Sequence, residues 1–398
     1  MVGAQALNSD IYGCFMDFIN TAINVLSKYP LCDHCLGRLF ALSGYGLENW
    51  ERGRSIKDVI HMDLVRRVKL GESSAVDLLA MLAASGHGPS ARFLMDRMNR
   101  RIDRVECPVC RDVFRLVDEA AKITASTMSS INIEFSTFQV GTMLPRELLD
   151  ADLRLSMEAA APSSESIKRE LNRLIGKRVQ AITGKEFSRS PDIVAVVSLP
   201  SLSVSIIVMP IYAAGTYRKL MRSPPPLADL ASRLNAGSVV IHSPLKDSEA
   251  RVLSDERVIL QLSNPRSRQL PAPGLLGFLE LRGFLRVSRR DVEQLKEDID
   301  KERTYRGLVI FNEPPPPGSL SALSTLLEGK RVRQGRRTKQ VRFLRLIPIG
   351  ERVAEIVLRS EGGISVEGLV DGVGVSPSIS GLLGIQAKLV QLDVLDST

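Results

Sequence analysis

Cysteine is scarce in this chain, with five among 398 residues. That excludes a disulfide-stapled secreted fold, which packs several bridges into a short chain. No secretory leader is read at the start, so the thiols are expected to stay reduced. Long apolar runs are missing too. The most apolar stretch, IVAVVSLPSLSVSIIVMPIYAAG at 193–215, is broken by Pro200, Pro210 and several serines. It reads as two β-strands and excludes a membrane-spanning helix. Acidic residues are absent from one segment, KRVRQGRRTKQVRFLR at 330–345, within a chain of net charge +8 and pI near 9.3. A general basic excess can be an ordinary solvated surface, but clustering on one segment suits a polyanionic partner. The charge and the lack of targeting signals fit the cytoplasm, and a monomer is expected.

Four of the cysteines stand in two Cys-x-x-Cys pairs: Cys32 and Cys35 in YPLCDHCLGRLF, and Cys107 and Cys110 in VECPVCRDV. Two intervening residues let a tight turn aim both sulfurs at one ion, and two such pairs supply the four ligands of a closed tetrahedral Zn²⁺ site. A disulfide pair or unrelated buried cysteines are the alternatives. The residues between the pairs exceed what a zinc ribbon inserts, so a helical excursion must leave and return. Cys14 is left over and reads as a small buried hydrophobe.

Helical spacing runs through 8–30, and amphipathic pieces recur through 36–104, with SGHGPS as a turn. A helix is expected from Val113 to Met128. INIEFSTFQVG alternates as a half-buried strand should, and SSESIKRELNRLIGKRV starts with a serine cap and continues as a basic amphipathic helix to Val179. With the paired strands of 193–212, residues 111–220 read as a small α/β module. SPPP at Ser223–Pro226 is a candidate linker. Beyond it come strands between Ser238 and Leu262, a strand at LLGFLELRGFLRV, a charged helix over 288–302 and the strand TYRGLVIF. PPPPG at 314–318 breaks the chain again before the strands VRFLRLIPIG and RVAEIVLRSEGG, a short helix and the final strand KLVQLDVL. The fold class is therefore α+β, ending in a mixed, mainly antiparallel sheet.

Several of these segments converge. YPLCDHCLGRLF with ENWERGRSI, EFSTFQVGTMLPRELL with ESIKRELNRLIGKRV, GTYRKLMR, TYRGLV and PSISGLLGIQAKLVQLDVL resemble, in order and over nearly the whole chain, the archaeal and eukaryotic tRNA pseudouridine synthase family with a zinc-bearing, THUMP-containing front half. The resemblance implies a helical zinc-binding region over 1–110, a THUMP-like RNA-binding domain over 111–222 and a pseudouridine synthase catalytic domain over 223–398. It implies structural Zn²⁺ on Cys32, Cys35, Cys107 and Cys110, no organic cofactor, and tRNA as partner through its TΨC arm and acceptor region. The implied reaction turns uridine 54, uridine 55 or both into pseudouridine.

That reaction breaks an N-glycosidic bond, turns the base over and forms a carbon–carbon bond. It needs one carboxylate beside the nucleotide, a flipped uridine, an aromatic ring to stack on it, and a cation to keep the carboxylate ionised. The family's Gly-Arg-Glu-Asp stretch followed by Val-Asp-Val-Arg-Met-Leu corresponds, with one residue deleted, to HSPLKDSEARVL from His242. Asp247 falls on the catalytic aspartate, Glu249 on the second acid and Arg251 on the arginine. Taken alone, KDSEAR would be an ordinary charged loop. Tyr305 corresponds to the tyrosine that stacks on the base, and Leu392 to an apolar residue of the pocket. Read singly, either is ordinary core. Arg331, Arg333, Arg336, Arg337 and Lys339 of the basic run correspond to a segment that touches the RNA backbone, giving salt-dependent, sequence-independent binding.

The chain departs from the family pattern where a second tyrosine is expected, which here is Ser365, and two residues on, where a lysine or arginine is replaced by Glu367. A carboxylate there would raise the pKa of Asp247. Ser243, Pro244 and Leu245 replace the family's glycines before the aspartate. An alternative is therefore a tRNA-binding, chaperone-like protein of the same ancestry whose isomerase site has decayed. A THUMP protein with a methylating or thiolating activity is a third reading, but no glycine-rich nucleotide loop supports it.

Overall fold

The computed structural model describes residues 18–161, 164–222, 227–245 and 250–397. The chain forms two compact units. One runs to Ile131 and resumes at Ser136–Ile207; the other holds Asn132–Phe135 and continues from Val208. Among the described residues no helix is long and apolar enough to cross a membrane.

The first unit opens with helices. α1 (18–28) buries Ala22, Val25 and Leu26. α2 (Asp33–Leu39) and α3 (Asn49–Lys69) follow, then α4 (Ser74–Ala84) and α5 (Gly88–Met98), which fill the excursion expected between the cysteine pairs. α2 and α3 touch backbone to backbone. A Cβ on Gly37 would run into the carbonyl of Asn49, and one on Gly53 into that of Asp33. The glycines of CLGR and ERGR are thus fixed by close approach, not by a turn. The helix expected from Val113 starts as a 3₁₀ turn, Val113–Leu116, and becomes α6 (Val117–Ser130).

The α/β part of this unit has β1 (Thr137–Met143), α7 (Arg146–Glu158), α8 (Ile167–Thr183), β2 (Glu186–Phe187), β3 (Ile193–Ser198) and β4 (Ser203–Val208), with sheet order β2-β1-β3-β4. β1 runs parallel to both neighbours. Phe138 and Val140 of β1 and Ile193, Ala195 and Val197 of β3 alternate into the core, where the stripe Ile167, Leu171, Leu174, Ile175, Val179 of α8 is buried. Ser166 caps α8, its side chain accepting from the Arg169 N–H at 3.3 Å, as the serine-led start implied.

The second unit is built on an 11-stranded sheet. In chain order its elements are β5 (Ile211–Lys219), α9 (Leu227–Arg233), β6 (Ser238–His242), β7 (Arg251–Ser263), β8 (Gly274–Leu276), β9 (Leu279–Val287), α10 (Arg289–Gln294) with a 3₁₀ turn (Leu295–Asp300), β10 (Arg303–Phe311), α11 (Ser319–Leu327), β11 (Arg331–Gln334), β12 (Arg337–Gly350), β13 (Val353–Ser360), α12 (Val366–Asp371), β14 (Val375–Ser376), α13 (Ile379–Leu383) and β15 (Ala387–Ser397). The strand order is β14-β11-β12-β13-β10-β15-β7-β5-β9-β8, with β6 also on β7. Strand β5, which the sequence reading placed in the front module, lies between β7 and β9 in this sheet. The compact division therefore falls at 207/208, and the cysteine-bearing helices share one unit with the α/β part.

Every described pairing in this sheet is antiparallel except β15 with β7, which spans only Asp393↔Arg251 and Val394↔Val252. This short parallel contact is a seam. On one side lies a core of β10–β15 with α11 and α12; on the other lies a core of β5–β9 with α9. Leu245 packs against both. The fold class is thus the expected α+β, with a large, mainly antiparallel mixed sheet.

Candidate functional sites: a metal-competent cluster and a sheet seam

The two cysteine pairs come together. The Sγ atoms of Cys32, Cys35, Cys107 and Cys110 all lie within 4.8 Å of one another. Cys32 Sγ and Cys110 Sγ are 3.6 Å apart, close to the roughly 3.8 Å edge of a tetrahedron of 2.3 Å Zn–S bonds. Backbone N–H groups of Cys35 and Cys32 donate to Cys32 Sγ and Cys107 Sγ, each at 3.5 Å. Such donors favour thiolates, so the donor set fits a metal ion. Cys14 lies outside the described residues.

Beneath the cluster sits Arg38, 1% exposed. It donates to Cys35 Sγ at 3.4 Å, to Asp152 Oδ1 of α7 at 2.6 Å and to the carbonyl of Glu165 at 2.8 Å, and its Nε faces Glu170 of α8 at 3.5 Å. His34, stacked on Phe114, places Nδ1 2.7 Å from Glu170 Oε1. Nothing in the local sequence marks this network. Asp152, Glu165 and Glu170 lie more than a hundred residues from Arg38, which looks like any arginine after a hook.

At the seam, Tyr305 of β10 pairs across to Val394 and Leu358, and Gly307 to Leu392 and Ile356. Directly paired residues share a face, so Tyr305 and Leu392 lie on the same face, buried in one cluster with Ala250. Asp247 and Glu249 lie outside the described residues. Ala250, where the chain is next described, enters the core that holds Tyr305 and Leu392. Arg251 goes elsewhere. Its register partner Asp393 alternates with Leu392 and Val394, so Arg251 lies on the opposite face from Tyr305. There its Nε and Nη2 grip Asp393 Oδ1 and Oδ2 at 2.7 and 2.6 Å, and Nη2 of Arg222 joins both oxygens at 2.7 and 2.8 Å. Burial works against ionising Asp393, but the two guanidinium groups outweigh it and hold the carboxyl below the ordinary range.

The Tyr305 side of the sheet carries further buried polar groups. Arg303 and Glu256 form an ion pair, 1% and 3% exposed, with Nε to Oε1 at 3.1 Å. Tyr217 bonds Ser243 through its hydroxyl at 2.8 Å, and burial pushes the phenol up to about 12.

The basic run forms a hairpin of β11 and β12. Arg331, Arg333, Arg336 and Arg337 are exposed on it. Lys339 is buried, with Nζ 2.6 Å from Asp300 Oδ1, so its charge is answered within the chain. Ser365 caps α12, accepting from the Gly368 N–H at 3.0 Å. Glu367 lines a cavity of about 820 Å³ with Asp371, Ser378, Ser380, Gln386 and Lys388, whose lining includes none of Arg251, Tyr305 or Leu392.

A family model described as the archaeal Pus10 THUMP domain matches residues 121–198, which places a THUMP domain in the first unit. The tRNA pseudouridine synthase Pus10 of Caldivirga maquilingensis is 36% identical over 408 residues, covering 96% of this chain and 99% of that protein. That of Vulcanisaeta distributa is 35% identical over 410 residues, covering 95% and 99%. Among solved structures, the archaeal box H/ACA sRNP Nop10-Cbf5 complex aligns with 46% of this chain and 47% of its own at 16% identity and a TM-score of 0.30. The chain belongs to the Pus10 tRNA pseudouridine synthase family, and its enzyme class is isomerase.

Proposed function

We propose that this chain isomerises uridine 54, uridine 55 or both in the TΨC loop of tRNA, acting as a cytoplasmic monomer with Asp247 as the reacting carboxylate. The target base, flipped from the loop, stacks on Tyr305 beside Leu392. Asp247 assists cleavage of the N1–C1′ bond. The base turns over, C5 bonds to C1′ and gives up its proton, and N1 gains one, so no atom is added or lost overall. No redox or nucleotide cofactor enters that balance.

The observation that supports this reading is that Ala250, three residues after Asp247 in the sequence, is buried in the same core cluster as Tyr305 and Leu392. The hairpin arginines supply backbone contacts to the TΨC arm and acceptor region. Cys32, Cys35, Cys107 and Cys110 would hold Zn²⁺, whose contribution there is structural cross-linking.

Wild-type chain incubated with an unmodified TΨC-arm transcript should form pseudouridine. Asp247→Asn should form none while binding the transcript about as well. A wild type that makes no pseudouridine overturns the reading.

A further inference from the structure

Among the described residues, the β15–β7 contact joins two separately packed halves of the sheet through two register pairs. So short a ladder gives the backbone little purchase, yet the segment bearing Asp247 ends at it. The side chains beside the ladder supply the rest. The Asp393 carboxylate accepts four hydrogen bonds, two from Arg251 and two from Arg222, all between 2.6 and 2.8 Å. Arg251 opens β7 four residues after Asp247, and Arg222 follows the end of β5. Asp393 itself is the neighbour of Leu392 on β15. One carboxylate thus ties three chain segments together. Arg306, the register partner of Asp393 on β10, is engaged by Glu355 at 2.6 Å.

We propose that Asp393 is a positioning residue for the isomerisation, holding Arg251 at the start of β7, four residues after Asp247 in the sequence, in register with the strand that carries Leu392. This rests on the function proposed above. Arg251 then serves as the handle by which the start of β7 is held, on the face of the sheet away from the stacking tyrosine. An amide at 393 offers one oxygen where the arginines need two, and its NH₂ would confront a guanidinium. Displacement of a reacting group by about 1 Å is worth roughly 100-fold in rate.

The test compares wild type, Asp393→Asn, Asp393→Glu, Arg251→Lys and Asp247→Asn for kcat on the TΨC-arm transcript, transcript affinity and thermal melting. Asp393→Asn should lose about 100-fold in kcat with affinity held within about twofold, and Asp393→Glu should recover about tenfold of that loss. If Asp393→Asn does not fold, Arg251→Lys, which keeps the charge and gives up the paired grip, should show the same kcat loss. The proposal is overturned if the folded variants keep wild-type kcat, or if their loss matches only the fraction unfolded. Asp247→Asn inactive beside an active Asp393→Asn sinks this inference alone. An inactive wild type, or an active Asp247→Asn, sinks the functional reading and this inference with it.

Discussion

His87 shows how one residue's surroundings set a measurable property. Its ring is fully buried at the start of α5, and Nδ1 accepts the Ser90 backbone N–H at 3.4 Å, while Nε2 faces Asp58 Oδ1 at 2.9 Å. A second proton would have to enter against that N–H. The Ser90 hydroxyl lies 2.8 Å from His87 Nδ1 and 3.0 Å from His61 Nδ1. Burial foremost pushes both imidazoles below their usual 6.5, with Asp58 opposing it. Because the folded values are depressed, the stabilisation is complete above about pH 6.5 and is lost as pH falls through the folded values. Melting of the first unit should therefore drop between pH 7.5 and 5. His87→Asn, which keeps a capping acceptor, should flatten that dependence; an unchanged slope would reject it. Residues such as these divide by legibility. Cys32, Cys35, Cys107 and Cys110 were readable because the chemistry lies in local spacing. Arg251 and Lys339 were not, because their partners Asp393 and Asp300 are distant in sequence and only folding shows that those charges are taken.

At the scale of elements, periodicity carried the reading where burial is one-sided. The stripe of α8 and the alternation of β1 and β3 were visible, whereas α7, α9 and α11 were passed over. The neighbours of β5, β7 and β9, are not legible in its sequence, because a strand's pattern records its buried face and not its partners. The α2–α3 crossing yields a direct prediction. Gly53→Ala puts a methyl into the Asp33 carbonyl, and separating the helices should cost about 1–3 kcal/mol or more, read as lost stability by denaturant unfolding. Stability within a few tenths would show that the helices can part freely. The β11–β12 hairpin is argued from charge instead. Arg333, Arg336 and Arg337 are exposed, so changing all three to Gln should weaken tRNA binding and reduce the salt slope by about one unit for each phosphate no longer neutralised. An unaltered slope would make the hairpin a solvated face. Lys339→Gln is expected to act through stability, since its ammonium is spent on Asp300.

For the whole molecule, the order of segments was legible and the grouping was not. Nothing local to the cysteine pairs says that the helices carrying them fold as one unit with the THUMP domain. The reason lies in Arg38, which contacts Cys35, Asp152 and Glu165 and faces Glu170, burying charge from α2, α7 and α8 in one place. Removing one member of such a network leaves the others buried and unpaired, a loss of about 3–5 kcal/mol. Metal loss should act the same way, since it removes the cross-link between the two cysteine pairs and leaves the sulfurs to protonate beside a buried arginine. Metal analysis of the full chain should give one zinc. Stripping it with a chelator should lower the melting of the first unit far more than that of the second, whose two cores contain none of the four cysteines. Arg38→Met in the zinc-loaded chain should reproduce part of that loss while keeping the metal. A chain that carries no zinc, titrates four free thiols and melts unchanged with chelator would mean that the cysteines pack as hydrophobes and that the unit is joined by Arg38 and the other side-chain contacts, without a metal.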